Sequence, residues 1–322
     1  ENPLGPSPFA VAAIQNATDR LHRYPDGAGH VLVNEIAAFC GVRTGNVVLG
    51  NGSDDIIGML TRTFLQPGDE VLMPQPSFLM YDISTRSAGG VPVPVPLRKL
   101  DIDLDGMLRH ITGRTRMLFM TNPHNPTGQI IRQHACEDFF AKLPPDLVVV
   151  LDEAYIEFAR DPQCLQSILL LREERPLVIL RTFSKLYGLA GLRIGYGIMP
   201  QAIAELLNRV RQPFTTNTLA QIGAAAALKD VAFVKQTLEL VHSGLEFLYR
   251  CLQDMDLGFY RTQANFFLID VRRSADDVFE ALLKKGVIVR AMTSYGLPEF
   301  IRINVGRPDE NRRFIEALKQ VL

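Results

Sequence analysis

The sequence predicts an α/β protein: a three-layer αβα large domain built on a mostly parallel sheet, followed by a smaller α+β C-terminal domain. Three observations lead there. Apolar runs such as Met117–Thr121, Leu147–Asp152 and Leu177–Arg181 have strand length and read as strands buried on both faces. Helical segments separate the strands in the first half of the chain, so the connections are crossovers and the strands parallel. Helical signal then dominates from Gln201 to Asp254, and a mixed tail begins at Phe266. A chain of 322 residues suits roughly two domains. The expected division is an N-terminal arm and helix over 1–23 associated with the small domain, a large domain over 24–230 and a small one over 231–322.

Each element has its own reason. The opening Asn2-Pro-Leu-Gly-Pro-Ser-Pro8 has too much proline for a helix or a central strand and reads as an extended arm. A short amphipathic helix is expected over Phe9 to Leu21, ended by Tyr24-Pro-Asp-Gly-Ala-Gly29. Next come a helix near Val31 to Gly41, a strand at Val47 to Leu49, a helix near Asp54 to Phe64 and a strand at Glu70 to Met73. A helix near Phe78 to Ser87 and a strand at Val91 to Val95 come after these, then the buried runs named above. The tail reads as a strand at Phe266 to Asp270, a helix to Lys285, strands at Val287 to Val289 and Phe300 to Val305, and a last helix. There are no repeats and no low-complexity linker, so the two domains are expected to pack closely.

Composition narrows the function. Hydrophobic residues are 47% and charged residues 21%, ordinary for a globular protein. A net charge of −1 leaves no basic excess to displace phosphate counterions, which argues against nucleic acid as main partner. An anionic small molecule would need local arginines. The apolar runs are too short to span a bilayer. Cys40, Cys136, Cys164 and Cys251 lie far apart without a CxxC pair, and the six histidines show no ligand spacing, so no metal is expected. The chain opens at Glu1 rather than a methionine, which suggests a further N-terminal piece; nothing retained resembles a targeting segment, and the expected compartment is the cytoplasm.

Four motifs carry chemistry. In Thr182-Phe-Ser-Lys185-Leu-Tyr-Gly-Leu-Ala-Gly-Leu-Arg193-Ile-Gly-Tyr-Gly197 a lysine comes after a strand inside a small, apolar run. Either its head snorkels to water, or it is desolvated, with a lowered pKa and an amine able to condense with carbonyls. Leu49-Gly50-Asn-Gly52-Ser-Asp54 turns a strand into a helix; its N–H groups suit a phosphate, or Ser53 or Asp54 simply caps the helix. Asn122-Pro-His-Asn-Pro-Thr-Gly128 is a rigid loop whose asparagines can donate into a site, or a plain turn. Leu151-Asp152-Glu-Ala-Tyr155 ends the most hydrophobic strand with a carboxylate, which is costly there unless a cation meets it or it caps the next helix.

Taken in order, Asn125, Asp152, Lys185 and Arg193 resemble the fold-type I pyridoxal-phosphate-dependent aminotransferases of class I/II. The likeness runs from Asn2 to at least Gly306. The wording ENPLGPSP, RYPDG, GNGSDD, TFSKLYGLAGLRIGYG, RQPF and VIVRAMTSYGLPEFIRINVG is similar to the histidinol-phosphate aminotransferase branch. That resemblance implies roles. Lys185 would hold pyridoxal 5′-phosphate as a Schiff base and shuttle a proton once substrate releases it. Asp152 would pair with the pyridinium nitrogen, Asn125 and Tyr155 would bond the 3-oxygen, and Phe78 would stack on the ring. Gly52, Ser53, Asp54, Thr182, Ser184 and Arg193 would form the phosphate cup. Tyr24 would reach the cofactor phosphate of the partner subunit, which makes the enzyme a homodimer with shared sites.

Substrate recognition is assigned by the same resemblance to Arg290 and Arg302, two guanidiniums that suit a phosphate dianion and still accept glutamate. Tyr81 and Asn2 join them, although Tyr81 sits in a helical pattern that equally suits the core. The function implied is transamination between L-histidinol phosphate/imidazole acetol phosphate and glutamate/2-oxoglutarate, a step of histidine biosynthesis. Alternatives on the same scaffold are an aromatic amino-acid aminotransferase or a threonine-phosphate decarboxylase. A pyridoxal-phosphate-binding regulatory module, or a phosphate-binding α/β protein without a Schiff base, would perform no turnover.

Overall fold

A helix α1 (Pro8–Gln15) and a second, α2 (His30–Cys40), lead into a strict alternation: β1 (Val47–Gly50), α3 (Ser53–Phe64), β2 (Glu70–Gln75), α4 (Leu79–Ser87), β3 (Val91–Pro96), α5 (Leu104–His110), β4 (Thr115–Thr121), α6 (Gln133–Ala141) and β5 (Val148–Asp152). Two strands, β6 (Leu177–Thr182) and β7 (Gly195–Ile198), precede three helices, α7 (Gln201–Val210), α8 (Thr218–Ala227) and α9 (Val231–Asp254). The chain closes with β8 (Gly258–Phe259), β9 (Phe266–Asp270), α10 (Ala275–Lys284), β10 (Arg290–Ala291), β11 (Phe300–Asn304) and α11 (Pro308–Val321). This computed structural model describes residues 1–322.

Crossover connections, α-helical except between β5 and β6, make β6, β5, β4, β2 and β3 run parallel, in that spatial order. β7 is antiparallel to both β6 and β1 and carries β1 at the far edge. Alternation along each strand divides the side chains between two cores. Val71, Phe119, Val150 and Leu180 pack with α3, α4 and α7 on one face. Leu72, Leu118, Val149, Leu151 and Ile179 pack with α2, α6 and α8 on the other, which yields the three layers expected. That second core runs on through α9 into a four-stranded sheet of order β10-β11-β9-β8.

Several expectations need correcting. α1 stops at Gln15 instead of Leu21: Thr18 donates its hydroxyl to the Gln15 carbonyl (3.0 Å), and a 3-10 turn, Thr18–Arg20, takes over. Val287–Val289 is not a strand, because Gly286 turns with φ +73 and the Val287 N–H bonds back to Leu282 (3.0 Å) to close α10; pairing starts at Arg290. β7 has no counterpart among the expected strands, since two glycines in four residues mask it. The helices α5 and α6 and the short β8 likewise went unforeseen. The N-terminal arm touches both units. α1 lies against α8, and Ser7 bonds Asp230 (2.6 Å), whereas Arg307 beside α11 donates to the Pro3 carbonyl (2.8 Å).

Candidate active site

The C-terminal ends of three neighbouring parallel strands meet at one edge, the place where open α/β sheets bind ligands. β4 ends at Thr121 and β5 at Asp152, paired in register, and β6 ends at Thr182, three residues before Lys185. The turn from β1 into α3 arrives alongside. Gly52 there has φ +85, and a Cβ on it would stand 2.6 Å from Arg193 Nη2; a Cβ on Gly195 would stand 2.5 Å from Ser53 N. Only glycine permits this packing of β7 and the turn.

Asp152 is buried, yet no cation pairs with it. The Tyr81 hydroxyl donates to Asp152 Oδ2 (2.8 Å) and the Ala154 N–H to Oδ1 (3.1 Å). Burial pushes its carboxyl up to about 6, against the pull of those two donors. Lys185 is partly buried, and its Nζ has no carboxylate within ion-pair reach, lying 5.6 Å from the centroid of the Tyr155 ring. Burial holds this amine below the usual lysine range, and nearby Arg302 adds to the effect. Burial likewise raises the Tyr155 phenol to about 12.

Arg302 on β11 donates from Nη1 to Asn125 Oδ1 (2.7 Å) and lies over the Phe266 ring (4.8 Å); its Nε is buried with no partner. Arg290 stands directly across the β10–β11 ladder, so both guanidiniums leave the same face of the sheet. A cavity of about 180 Å³ is lined by Ser53, Asp54, Phe78, Asn125, Asp152, Tyr155, Thr182, Ser184, Lys185 and Arg193. A larger one of about 720 Å³ shares Lys185 and Tyr155 and holds Asn2, Arg290 and Arg302. The expected cofactor residues thus come together around Lys185, with the two arginines on the adjoining space.

Tyr81 departs from expectation, and Asp54, Asn2 and Tyr24 carry contacts that the sequence did not show. Tyr81 is wholly buried, stacked on Phe119 (4.5 Å between centroids) and bonded to Asp152 and Thr121, so no part of it faces a substrate. Asp54 offers a carboxylate, which repels a phosphate; it takes Arg193 instead (3.4 Å), leaving its backbone N–H as its means of holding an anion. Asn2 spends its amide on the Leu186 carbonyl (2.7 Å) and on Thr237 (3.2 Å) while still lining the larger cavity. Tyr24 is 82% exposed and stacks on Phe214 (4.6 Å), away from both cavities of its own chain. Thr121 was missed by sequence reasoning. The available signal was a polar residue closing an apolar strand.

These residues fit pyridoxal phosphate. Asp152 has only neutral donors and lacks the cation that a pyridinium N–H would supply. Phe78 offers a ring to stack on, and Lys185 a free amine. Thr182, Ser184, Arg193 and the first N–H groups of α3 gather where a dianion would sit.

Comparison with known proteins agrees. The profile of the family "Aminotransferase class I and II" matches residues 1–318. A histidinol-phosphate aminotransferase of Moorella thermoacetica is 45% identical over 323 aligned residues, covering 100% of this chain and 84% of the relative. One from Akkermansia muciniphila is 46% identical, with coverage of 100% and 88%. The crystal structure of histidinol-phosphate aminotransferase from Sinorhizobium meliloti in complex with pyridoxal-5′-phosphate superposes with a TM-score of 0.95 at 28% identity, covering 100% of this chain and 89% of that one.

Proposed function

We propose, for a chain that belongs to the class I and II aminotransferase family, that it exchanges the amino group between L-histidinol phosphate/imidazole acetol phosphate and glutamate/2-oxoglutarate. Pyridoxal phosphate, when bound, supplies a carbonyl for condensation with amines and a ring that accepts electrons from a broken C–H bond. Lys185 would hold the group through its amine and would be the base that moves a proton at the substrate carbon. Its lowered pKa favours the neutral amine this task needs. Asp152 would accept from the ring nitrogen, Asn125 and Tyr155 would bond the 3-oxygen, and Phe78 would cover the ring. Gly52, Ser53 and Asp54 through backbone N–H groups, with Thr182, Ser184 and Arg193, would hold the phosphate.

The observation that carries the substrate assignment is the Arg290–Arg302 pair: two guanidiniums on one face of a ladder, beside Lys185, with no carboxylate paired to either. A phosphate dianion answers both, and a glutamate carboxylate answers one. The working unit is a homodimer. Tyr24 and Phe214, stacked and exposed at the surface, support it as the residues that reach the partner subunit. Residues 24–230 and 231–322 form the two walls of the cleft and residues 1–23 the arm across them. The compartment proposed is the cytoplasm.

Absorption spectra of the cofactor-loaded protein test this. Histidinol phosphate and glutamate should each bleach the cofactor–lysine band within one turnover, and Lys185→Ala should lower turnover by at least about 10⁴-fold. Faster bleaching by phenylalanine than by histidinol phosphate would overturn the substrate. A loaded protein without a lysine-linked band would overturn the reaction.

A further inference from the structure

The hydroxyls beneath the ring site are ordered in one direction. An ionised carboxylate only accepts, so the Tyr81 phenol must spend its one proton on Asp152 Oδ2 (2.8 Å). The phenol oxygen is then free to accept, and Thr121 Oγ1, 2.8 Å away, is the donor within reach. The relay Thr121→Tyr81→Asp152 is strongest when Asp152 is charged, because both its oxygens then only accept. Burial and the Asp152 charge push the phenol well above its usual 10, so it keeps the proton it donates.

Tyr81 is also held without play. It stacks on Phe119, interplanar angle 2°, on the floor formed by β4. Its edge meets Phe78, at 5.7 Å between centroids and 87° between planes. Phe78 and Asp152 are the two groups assigned above to the face and the nitrogen of the cofactor ring, and one wholly buried tyrosine touches both.

We infer that Tyr81, backed by Thr121, is a positioning residue that keeps Asp152 anionic and aimed at the ring nitrogen while bracing Phe78 against the ring face. The inference rests on the cofactor assignment proposed above. The groups facing Asp152 are Asp54 on α3, Tyr81 on α4, Thr121 on β4, Tyr155 and the Ala154 N–H beyond β5, and Lys185 beyond β6. Of these, only Tyr81 and the Ala154 N–H bond the carboxylate directly.

Tyr81→Phe keeps both aromatic contacts and deletes the donor. Removing a hydrogen bond to the charged form raises the pKa of Asp152, and a shift of about one unit corresponds to about ten-fold in its affinity for a proton. Two titrations read it. Pyridoxal phosphate affinity should fall by up to about ten-fold below pH 6 in Tyr81→Phe and about three-fold in Thr121→Val, and by less than about two-fold at pH 7.5, where Asp152 stays mostly charged in both. In the cofactor-free chain, the pH midpoint at which Asp152 affects urea stability should rise by about one unit in Tyr81→Phe. With Asp152→Asn as background, adding Tyr81→Phe should change neither quantity further. An affinity loss equal at every pH with an unmoved midpoint would show a merely structural tyrosine and overturn the inference. Should the parent protein bind no pyridoxal phosphate, the cofactor assignment fails instead, and the midpoint in the cofactor-free chain still decides whether Tyr81 acts on Asp152.

Discussion

Asp152 and Glu153 are neighbours at the end of β5, and the alternation of a strand sends them to opposite faces of the sheet. Below, Glu153 receives two hydrogen bonds from Arg181 on β6, at 3.0 and 2.8 Å, and both side chains are largely withdrawn from water. Above, Asp152, Lys185 and Arg302 stand around two adjoining cavities that share Lys185, and none makes an ion pair within the chain. The lower carboxylate is given its cation by the fold, although its Oε1 is buried without a partner. The upper charges are left for a cofactor and a substrate to finish, so binding energy becomes available there at the expense of stability.

The sharpest break comes from treating the two carboxylates alike. Asp152→Asn should lower kcat by two to three orders of magnitude, since an amide cannot stabilise a ring cation. Its effect on the cofactor-free fold should have the opposite sense. Asp152 titrates near 6 in the fold against an ordinary 3.8, so the native state holds this proton more tightly than the unfolded chain. That contribution is present below about pH 4 and lost as pH rises through 6. Urea unfolding should find the variant more stable than the parent by about 2–3 kcal/mol at pH 7.5, with the difference vanishing near pH 4. A variant less stable at pH 7.5 would mean that Asp152 is as well compensated as its neighbour.

Glu153→Gln sharpens the same comparison from below. It strands Arg181, a cation withdrawn from water, and breaking such a pair from one side costs about 3–5 kcal/mol. Unfolding measurements should show that loss, while the fraction still folded binds pyridoxal phosphate with parental affinity. Selective loss of cofactor affinity would mean that the two faces are coupled through the strand.

The same contrast explains what could be read from the sequence. Asp152 and Lys185 were legible because each is expensive where the pattern puts it: a carboxylate at the tip of an apolar strand, and an amine in a run of small residues. The turn from β1 into α3 was legible because its glycines sit where a strand becomes a helix. Tyr81 was not, because a tyrosine in an amphipathic helix suits the core as well as a site, and its partners come from β4 and β5. The bond between Arg302 and Asn125 joins residues 177 apart in sequence, which no local pattern encodes. β7 was hidden by Gly195 and Gly197, whose weak strand preference is overridden by packing: Gly195 lets Ser53 and its turn come close, and Gly197 makes room for Met199.

The two arginines of the cleft set the smallest effect. Arg181 answers Glu153, but Arg290 is exposed, has no carboxylate, and lies only over the ring of Tyr295 at 5.7 Å. An exposed guanidinium of this kind contributes little to the fold, so Arg290→Ala should leave the unfolding midpoint within experimental error. What it can lose is one charge-assisted contact to a phosphate, a factor of about ten in affinity. The loss should appear as a KM about ten-fold higher for histidinol phosphate, with kcat and the KM for glutamate close to the parent, because Arg302 still holds a single carboxylate. Equal losses for both substrates would show that Arg290 serves the shared carboxylate position, and phosphate selectivity would then have to reside in Arg302 alone.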